Sequence, residues 1–254
     1  MTRRRWIADE VKGDTAALVG DHAAHLARVL RAEIGQEFDI AAGEEVRRGT
    51  ITFVSYDRVE FALDAKPYRP RRSQPSAAPK ITLVLAIFKF DRMEWAIEKC
   101  TEIGVARIIP VIARRSDVHL AAAAAKRHQR WLRIARQAAE QSRRETPPEI
   151  AAPIKLKDLG SAGDPPPAAR VVLAEAFAES SDSARLGDVL QSISQSHLAA
   201  FEVGLAVGPE GGWTADELER FHETGWKAAS LGNNILRAET AAIVATALAM
   251  EALR

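Results

Sequence analysis

The chain has 254 residues, a net charge of +1 and 47% apolar residues, which is typical of a globular protein with one large domain or two modest ones. Its single cysteine, Cys100, excludes an internal disulfide and a cysteine-rich metal site. No apolar run approaches the length of a membrane span, and the basic start lacks the apolar core of a signal peptide. We therefore expect a cytoplasmic protein that contacts no membrane.

The first 70 residues are predicted to form a small β-rich domain. Short β-rich runs occupy residues 37–40, 50–54 and 59–63. A helix is expected over residues 22–31, with Asp21 as its N-cap. A small barrel with one or two helices fits this pattern.

Residues 66–79 are predicted to be an extended linker, because four prolines and three arginines fall within them. Strands and helices alternate after the linker. Strands are expected at residues 81–85, 105–112, 171–174, 203–207 and 228–231, and helices at 91–103, 121–142, 214–224 and 238–253. Thr214 and Glu217 have the spacing of a capping box. Nearly continuous apolar strands between helices predict a parallel sheet covered on both faces.

Positive charge is concentrated in residues 114–144, where nine basic residues stand against Asp117 and Glu140. A local basic patch of this kind attracts phosphates even when the whole chain is nearly neutral. A solvated helix face is the alternative interpretation of the same pattern.

Two glycine-bearing turns near the C-terminus are the most informative feature of the chain. Residues 205–213 and 231–240 each run from an apolar stretch through a tight turn into a helix. Glycine lets the backbone adopt positive φ and approach a ligand closely, and ligands bind where strands end in open α/β sheets. The pair predicts one ligand pocket built largely from backbone, although each turn alone is also typical of an ordinary strand-to-helix connection.

Arg237 and Glu239 lie at the start of a helix that is otherwise almost wholly apolar, which predicts that this helix is buried. Charges at such a position are costly unless they are paired or used. A structural ion pair of Arg237 with Glu239 or Glu210 is the alternative to a functional role. The chain contains no nucleotide-binding glycine motif, serine nucleophile elbow or zinc-ligand spacing, so we expect no metal.

Several blocks of sequence together carry a family resemblance. They are residues 25–31 (HLARVLR), 98–105 (EKCTEIGV), 130–135 with 139–142, 208–212 (GPEGG) and 231–241 (LGNNILRAETA). In their order and spacing the chain resembles the RsmE family, the SPOUT-class methyltransferases that act on N3 of one uridine in small-subunit (16S) ribosomal RNA. Asn234, where the family usually has arginine, and the Arg143-Arg144 pair depart from the family pattern.

The resemblance implies an α/β protein with two domains. Residues 1–70 would form a PUA-like, RNA-binding β-barrel, and residues 80–254 a SPOUT methyltransferase domain with a C-terminal trefoil knot. A homodimer and an S-adenosylmethionine site in the knot are also implied. The residues expected around this cofactor are Glu175, Gly208, Pro209, Gly211, Gly212, Leu231, Gly232, Ile235, Leu236 and Thr240.

For the methyl transfer that the resemblance implies, Arg237 is expected to stabilise negative charge on the uracil, and Glu210 or Glu239 to accept the N3 proton. RNA phosphates are expected to contact Arg3, Arg4, Arg5, Arg28, Arg31, Arg114 and Arg115. Two other functions stay open at this stage. One is a SPOUT ribose 2′-O-methyltransferase acting on transfer RNA, and the other is a non-catalytic RNA-binding or ribosome-assembly protein.

Overall fold

The computed structural model describes residues 5–43, 45–67, 80–160, 167–174, 184–195 and 202–253. The chain divides into two compact units. The N-terminal unit comprises Met1–Pro75 and Arg136–Pro147, and the C-terminal unit comprises Ser76–Ala135 and Pro148–Arg254. The return of residues 136–147 to the N-terminal unit has no counterpart in the predicted domain boundaries.

The N-terminal unit contains one six-stranded sheet with the order β1-β4-β5-β6-β3-β2. Its strands are β1 (Arg5–Ile7), β2 (Glu10–Lys12), β3 (Thr15–Val19), β4 (Glu37–Ala42), β5 (Glu45–Val54) and β6 (Arg58–Leu63). The three predicted β runs are confirmed as parts of β4, β5 and β6. The first three strands were not predicted, because they are short and lack a clear alternation of apolar and polar residues.

The two edge strands of this sheet, β1 and β2, follow each other directly in the chain. Between them, the Ala8 amide donates to the Ala41 oxygen and the Asp9 amide donates to the Ala17 oxygen, each at 2.9 Å. One short segment thus bonds to strands on opposite sides of the sheet, so the sheet curls around a core that includes Trp6.

The predicted helix over residues 22–31 is wrong in detail. A single turn, α1 (Asp21–Ala24), continues as a π-helical turn over His25–Val29. Gly20, with φ of 58°, occupies the N-cap position, and no side chain caps the helix. Leu26, on this π-helical turn, is fully buried in the core.

The C-terminal unit contains a seven-stranded sheet in which every pairing is parallel, as the sequence predicts. Its strand order is β10-β8-β7-β12-β11-β13, with β9 beside β8. The strands are β7 (Lys80–Ala86), β8 (Arg107–Ile112), β9 (Glu149–Ile150), β10 (Ile154–Lys155), β11 (Ala169–Leu173), β12 (Glu202–Val207) and β13 (Lys227–Ala229).

Helices cover both faces of this sheet. They are α2 (Phe90–Ile103), α3 (Val118–Gln141), which enters the N-terminal unit at residue 136, α4 (Leu186–Gln195), α5 (Ala215–Glu223) and α6 (Ala238–Ala252). Alternate β7 side chains enter different clusters: Leu83 packs in the cluster that contains α2 and α6, whereas Val84 packs in the cluster that contains α5. This two-sided burial explains the nearly continuous apolar sequence of the strand.

The predicted capping box is confirmed at the start of α5. The Glu217 amide donates to Thr214 Oγ1 at 3.3 Å, and the Thr214 amide donates back to Glu217 Oε2 at 2.8 Å. An N-cap contributes about 0.5–2 kcal/mol to stability. It also fixes the point at which the loop after β12 ends.

Candidate active site

The carboxyl ends of β11, β12 and β13 open into one cavity of about 940 Å³. Because β11 lies between β12 and β13 in the sheet, the connection from β12 to β13 must pass over it. The chain moves one way across the sheet from β11 to β12 and the opposite way from β12 to β13. Ligands bind where the strand order of a parallel sheet reverses in this manner. Eight of the predicted cofactor residues line the cavity: Gly208, Pro209, Gly211, Gly212, Leu231, Gly232, Ile235 and Leu236. Glu175 lies outside the described residues, and Thr240 is half-buried on α6 away from the lining.

The first turn folds back on itself around Trp213. A Cβ added to Gly208 would lie 3.3 Å from the Trp213 ring, which is tighter than ordinary packing. The Trp213 Nε1 donates to the Leu173 oxygen at 3.1 Å and so ties the turn to the end of β11. Gly212 adopts φ of 68°, in the left-handed region that favours glycine. The turn therefore presents backbone rather than side chains to the cavity.

Arg115, which is predicted to bind RNA, is hydrogen-bonded to this first turn. Its Nη1 donates to the Gly211 oxygen at 2.6 Å and to the Trp213 oxygen at 3.3 Å. The neighbouring Arg114 anchors its backbone amide on Glu217 and leaves its side chain exposed. Both side chains are exposed, but only that of Arg115 is hydrogen-bonded to the first turn.

The second turn adds an apolar wall and another glycine with positive φ. Gly232 adopts φ of 116°, which a side-chain-bearing residue rarely accepts. Ile235, on the same turn, is 82% exposed at the cavity. An exposed isoleucine beside a backbone cradle is well suited to contact a flat, weakly polar ring.

Arg237 is the N-cap residue of α6, and its side chain is exposed at the cavity. Within the described part of the chain it forms no ion pair, with Glu210 or with Glu239. The structural ion pair considered from sequence is therefore absent. The start of α6 carries the positive end of a helix dipole, which adds to the charge of Arg237 at this point of the cavity.

Arg92 is the cation that these two carboxylates contact instead. Its Nη1 lies 3.4 Å from Glu210 Oε1, and its Nε lies 3.8 Å from Glu239 Oε1. Glu239 is almost fully buried, and its Oε2 has no hydrogen-bond partner among the described residues. Glu210 lines the cavity, whereas Glu239 does not.

Arg92 is not among the residues predicted from the sequence, although a signal for it is present there. The residue lies in the first turn of α2, shortly after β7, and polar side chains that follow a parallel strand point to the ligand-binding edge of a sheet. Its two partners, however, are 118 and 147 positions away, so the pairing itself has no local signature.

The arginines predicted to bind RNA in the N-terminal unit differ in exposure. Arg3 and Arg4 lie outside the described residues. Arg5 is buried and donates to the Arg143 oxygen, so it is not available on a basic surface. Arg28 and Arg31 are both exposed.

Much of the basic stretch of α3 is engaged within the protein. Arg130 Nε lies 2.8 Å from Glu94 Oε1, and Arg127 approaches the same carboxylate at 3.5 Å. Arg136 Nη1 lies 2.7 Å from Asp9 Oδ1 inside the N-terminal unit. The local excess of positive charge therefore overstates the charge that α3 can offer to RNA.

The described residues offer neither a reactive cysteine nor a metal site. Burial raises the pKa of the Cys100 thiol to about 12, although a hydrogen bond from Thr246 acts in the opposite direction. A thiol with such a pKa is a packing group rather than a nucleophile. Within the same described ranges, no group of three acidic, histidine or cysteine side chains could hold a metal ion, and no helix is long and apolar enough to cross a membrane.

Comparison with known proteins assigns the family. Residues 75–250 match the model of the RNA methyltransferase domain. The chain is 32% identical to ribosomal RNA small subunit methyltransferase E of Synechocystis sp., over 92% of this chain and 72% of that protein. The chain belongs to the ribosomal RNA small subunit methyltransferase E family. The resemblance stated from sequence is thereby confirmed.

Solved structures of methyltransferase E and a related protein share the fold. The enzyme from Neisseria gonorrhoeae, solved with S-adenosylmethionine bound, is 30% identical, with a TM-score of 0.78 over 96% of this chain and 95% of that one. A protein from Legionella pneumophila in complex with the same cofactor is 28% identical, with a TM-score of 0.79 over 98% and 97% of the two chains. The mixed α/β architecture of this member of the methyltransferase E family is therefore that of its relatives.

Proposed function

We propose that this protein transfers a methyl group from S-adenosylmethionine to N3 of a uridine in small-subunit ribosomal RNA. The observation that carries the proposal is the cavity at the ends of β11, β12 and β13, whose two glycine turns the family resemblance assigns to the cofactor. A ribosomal substrate supports the cytoplasmic location expected from the sequence.

The residues of the cavity fit this cofactor. Gly208 and Gly212 keep side chains out of the first turn, which leaves backbone groups for the adenine edge and the ribose. Ile235 offers an apolar contact for the adenine ring. The volume of about 940 Å³ leaves room for a base beside the cofactor. When bound, S-adenosylmethionine supplies an electrophilic methyl group.

The chemistry at the uracil falls to the charged residues of the cavity. N3 of uridine is weakly acidic and must lose its proton to become nucleophilic, which spreads negative charge onto the uracil oxygens. Arg237, exposed and without an ion pair to any described residue, can stabilise that charge, with help from the N-terminus of α6. Such preorganised charge is often the largest single contribution to catalysis.

Glu210 is the better placed of the two candidate proton acceptors. Its carboxylate lines the cavity and is partly exposed, whereas Glu239 is buried beside Arg92. Arg92 is then a positioning residue, because it contacts both carboxylates and leaves Arg237 free for the substrate. Glu239, in the first turn of α6, would hold the Arg92 side chain in position.

The fold-level features that the family resemblance implies are part of the proposal. Support for a PUA-like barrel comes from the short segment at Ala8 and Asp9 that bonds to both sides of the curled sheet. Support for a trefoil knot comes from the passage of the chain over β11. Support for a homodimer comes from Trp95 on α2 and Leu248 on α6, which are 49% and 41% exposed on two helices that pack together.

The test is methylation of defined RNA followed by nucleoside analysis. The protein is incubated with labelled S-adenosylmethionine and either naked small-subunit RNA or assembled subunits, and the product is digested and separated. We expect labelled 3-methyluridine. A 2′-O-methylated nucleoside from transfer RNA would instead identify a ribose methyltransferase. RNA binding without any affinity for S-adenosylmethionine, measured by calorimetry, would identify a non-catalytic RNA-binding protein.

A further inference from the structure

Tyr56 presents an aromatic ring to solvent in the turn between β5 and β6. The residue is 60% exposed, which is unusual for a large aromatic side chain. The guanidinium carbon of Arg28, from the π-helical turn, lies 4.1 Å from the centre of the Tyr56 ring. This is a cation–π contact, and it joins two elements of the N-terminal unit in one exposed pair.

The backbone under this pair is well anchored. The Ser55 amide donates to the Arg58 oxygen at 2.8 Å and closes the turn that carries Tyr56. The Gly20 amide donates to the Asp57 oxygen, also at 2.8 Å, and ties this turn to the start of α1. A preorganised ring loses little conformational entropy when a ligand stacks on it.

The Arg28 side of the pair has an irregular backbone. The π-helical turn His25–Val29 is followed by Arg31, whose φ of 49° is rare for a residue other than glycine. Single π-helical turns and strained residues concentrate at functional sites. Here they leave Arg28, Val29 and Arg31 all exposed to solvent.

Arg28 and Arg31 differ in ion pairing from three other arginines of the N-terminal unit. Arg47, Arg48 and Arg58 each form an ion pair with a carboxylate. Within the described residues, Arg28 and Arg31 form none. Two exposed cations three residues apart, one of them over an exposed aromatic ring, are complementary to a polyanion that also offers flat rings. RNA with unpaired bases has both features.

We propose that Tyr56 and Arg28 form a stacking site for an unpaired base of RNA, with Arg31 beside it to contact a backbone phosphate. The inference rests on the proposed function, because the RNA it concerns is the substrate of the same enzyme. Every base has a π face, so stacking tolerates different sequences and holds the RNA rather than choosing the uridine.

The experiment measures RNA affinity and methylation with the full-length chain. A fluorescein-labelled single-stranded fragment of small-subunit ribosomal RNA is titrated with wild type, Tyr56→Ala, Tyr56→Phe and Arg31→Ala, and anisotropy is followed at several salt concentrations. Val11→Ala, at another exposed apolar position of the same unit, is the matched control. Affinity for S-adenosylmethionine and the mass of the particle in solution are measured for each protein.

We expect Tyr56→Ala to weaken RNA binding about 5- to 150-fold, the range that loss of one base–aromatic stack produces. The KM for RNA should rise with little change in kcat or in cofactor affinity, and Tyr56→Phe, which keeps the ring, should restore binding. The salt dependence of binding should be unchanged by Tyr56→Ala, whereas Arg31→Ala should reduce its slope by about one unit because a phosphate contact is lost.

Unchanged RNA affinity in Tyr56→Ala would overturn the stacking site, as would a Phe variant as weak as the Ala variant. A changed particle mass with unchanged RNA affinity would show that Tyr56 faces another protein. If wild type forms no 3-methyluridine but Tyr56→Ala still loses RNA affinity, the stacking site stands and the proposed function fails. If wild type forms 3-methyluridine and Tyr56→Ala binds RNA normally, the stacking site fails and the proposed function stands.

Discussion

The cavity of the C-terminal unit is walled largely by backbone, whereas the surface around Tyr56 in the N-terminal unit is made of side chains. In the cavity, glycines at positions 208, 212 and 232 bring the chain itself close to a ligand. On the Tyr56 surface, an aromatic ring from the β5–β6 turn lies against Arg28 of the π-helical turn, and Arg31 is exposed just after that helical turn. The contrast suggests that backbone recognises a fixed cofactor, while exposed side chains hold a large and variable RNA. Variants in the two regions should therefore change different measured quantities.

The largest effect is expected from Arg237→Ala. Loss of one preorganised charge stabiliser should lower kcat about 100-fold or more while the affinity for S-adenosylmethionine stays close to that of wild type. Single-turnover methylation and calorimetry separate the two quantities. If cofactor affinity falls together with turnover, Arg237 contributes to cofactor binding rather than to charge stabilisation on the uracil.

A smaller effect is expected from Gly212→Val, which tests whether the cavity depends on backbone conformation. A β-branched residue at φ of 68° is strained, so the first turn should shift and weaken cofactor binding about tenfold or more. Gly187→Val is the matched control, because Gly187 has ordinary φ, an added Cβ there meets nothing within 4 Å, and the residue does not line the cavity. Equal cofactor affinity in both variants, measured by calorimetry, would contradict a backbone-dependent site.

Arg92→Ala should reduce stability by about 1–3 kcal/mol, because it leaves the buried Glu239 carboxylate without its cation. Denaturant unfolding measures this loss. Adding Glu239→Gln should recover part of it, since the remaining amide carries no charge. A double-mutant cycle in which the two effects simply add would show that the 3.8 Å contact carries no coupling.

The smallest effect concerns the N-terminal unit and its response to acid. Burial raises the pKa of Asp9, but hydrogen bonds from His22 and from the Val19 amide, with the charge of Arg136, outweigh burial and hold this pKa below its ordinary value. The contribution of Asp9 to stability is therefore present above the ordinary carboxyl pKa and is lost as the pH falls through the lowered one.

Asp9→Asn should accordingly cost about 1 kcal/mol at neutral pH and flatten the dependence of unfolding free energy on pH in the acid range. Cofactor affinity should not change, because Asp9 lies in the N-terminal unit. Denaturant unfolding from pH 7 down to the acid limit measures the effect. An acid dependence as steep as that of wild type would show that other carboxylates determine it.

Local sequence determined much of the C-terminal unit. Continuous apolar runs such as β7 predict a parallel sheet, because only strands covered on both faces exclude polar residues from both sides. The Thr214–Glu217 capping box acts over three residues and could be recognised without tertiary information. The two glycine turns likewise pointed to one pocket, since the carboxyl ends of parallel strands meet at one edge of a sheet.

Tertiary structure alone decided which charges are used and which are free. Sheet order brings Arg92 to Glu210 and Glu239, directs Arg115 to the first turn and buries Arg5, although nothing in the neighbouring sequence distinguishes these arginines from Arg28. The Tyr56–Arg28 contact likewise joins a π-helical turn to the β5–β6 turn, two segments that lie far apart in the sequence. Apolar patterns act over a few residues and can be recognised locally, whereas an ion pair forms between whichever charges the completed fold brings within about 4 Å.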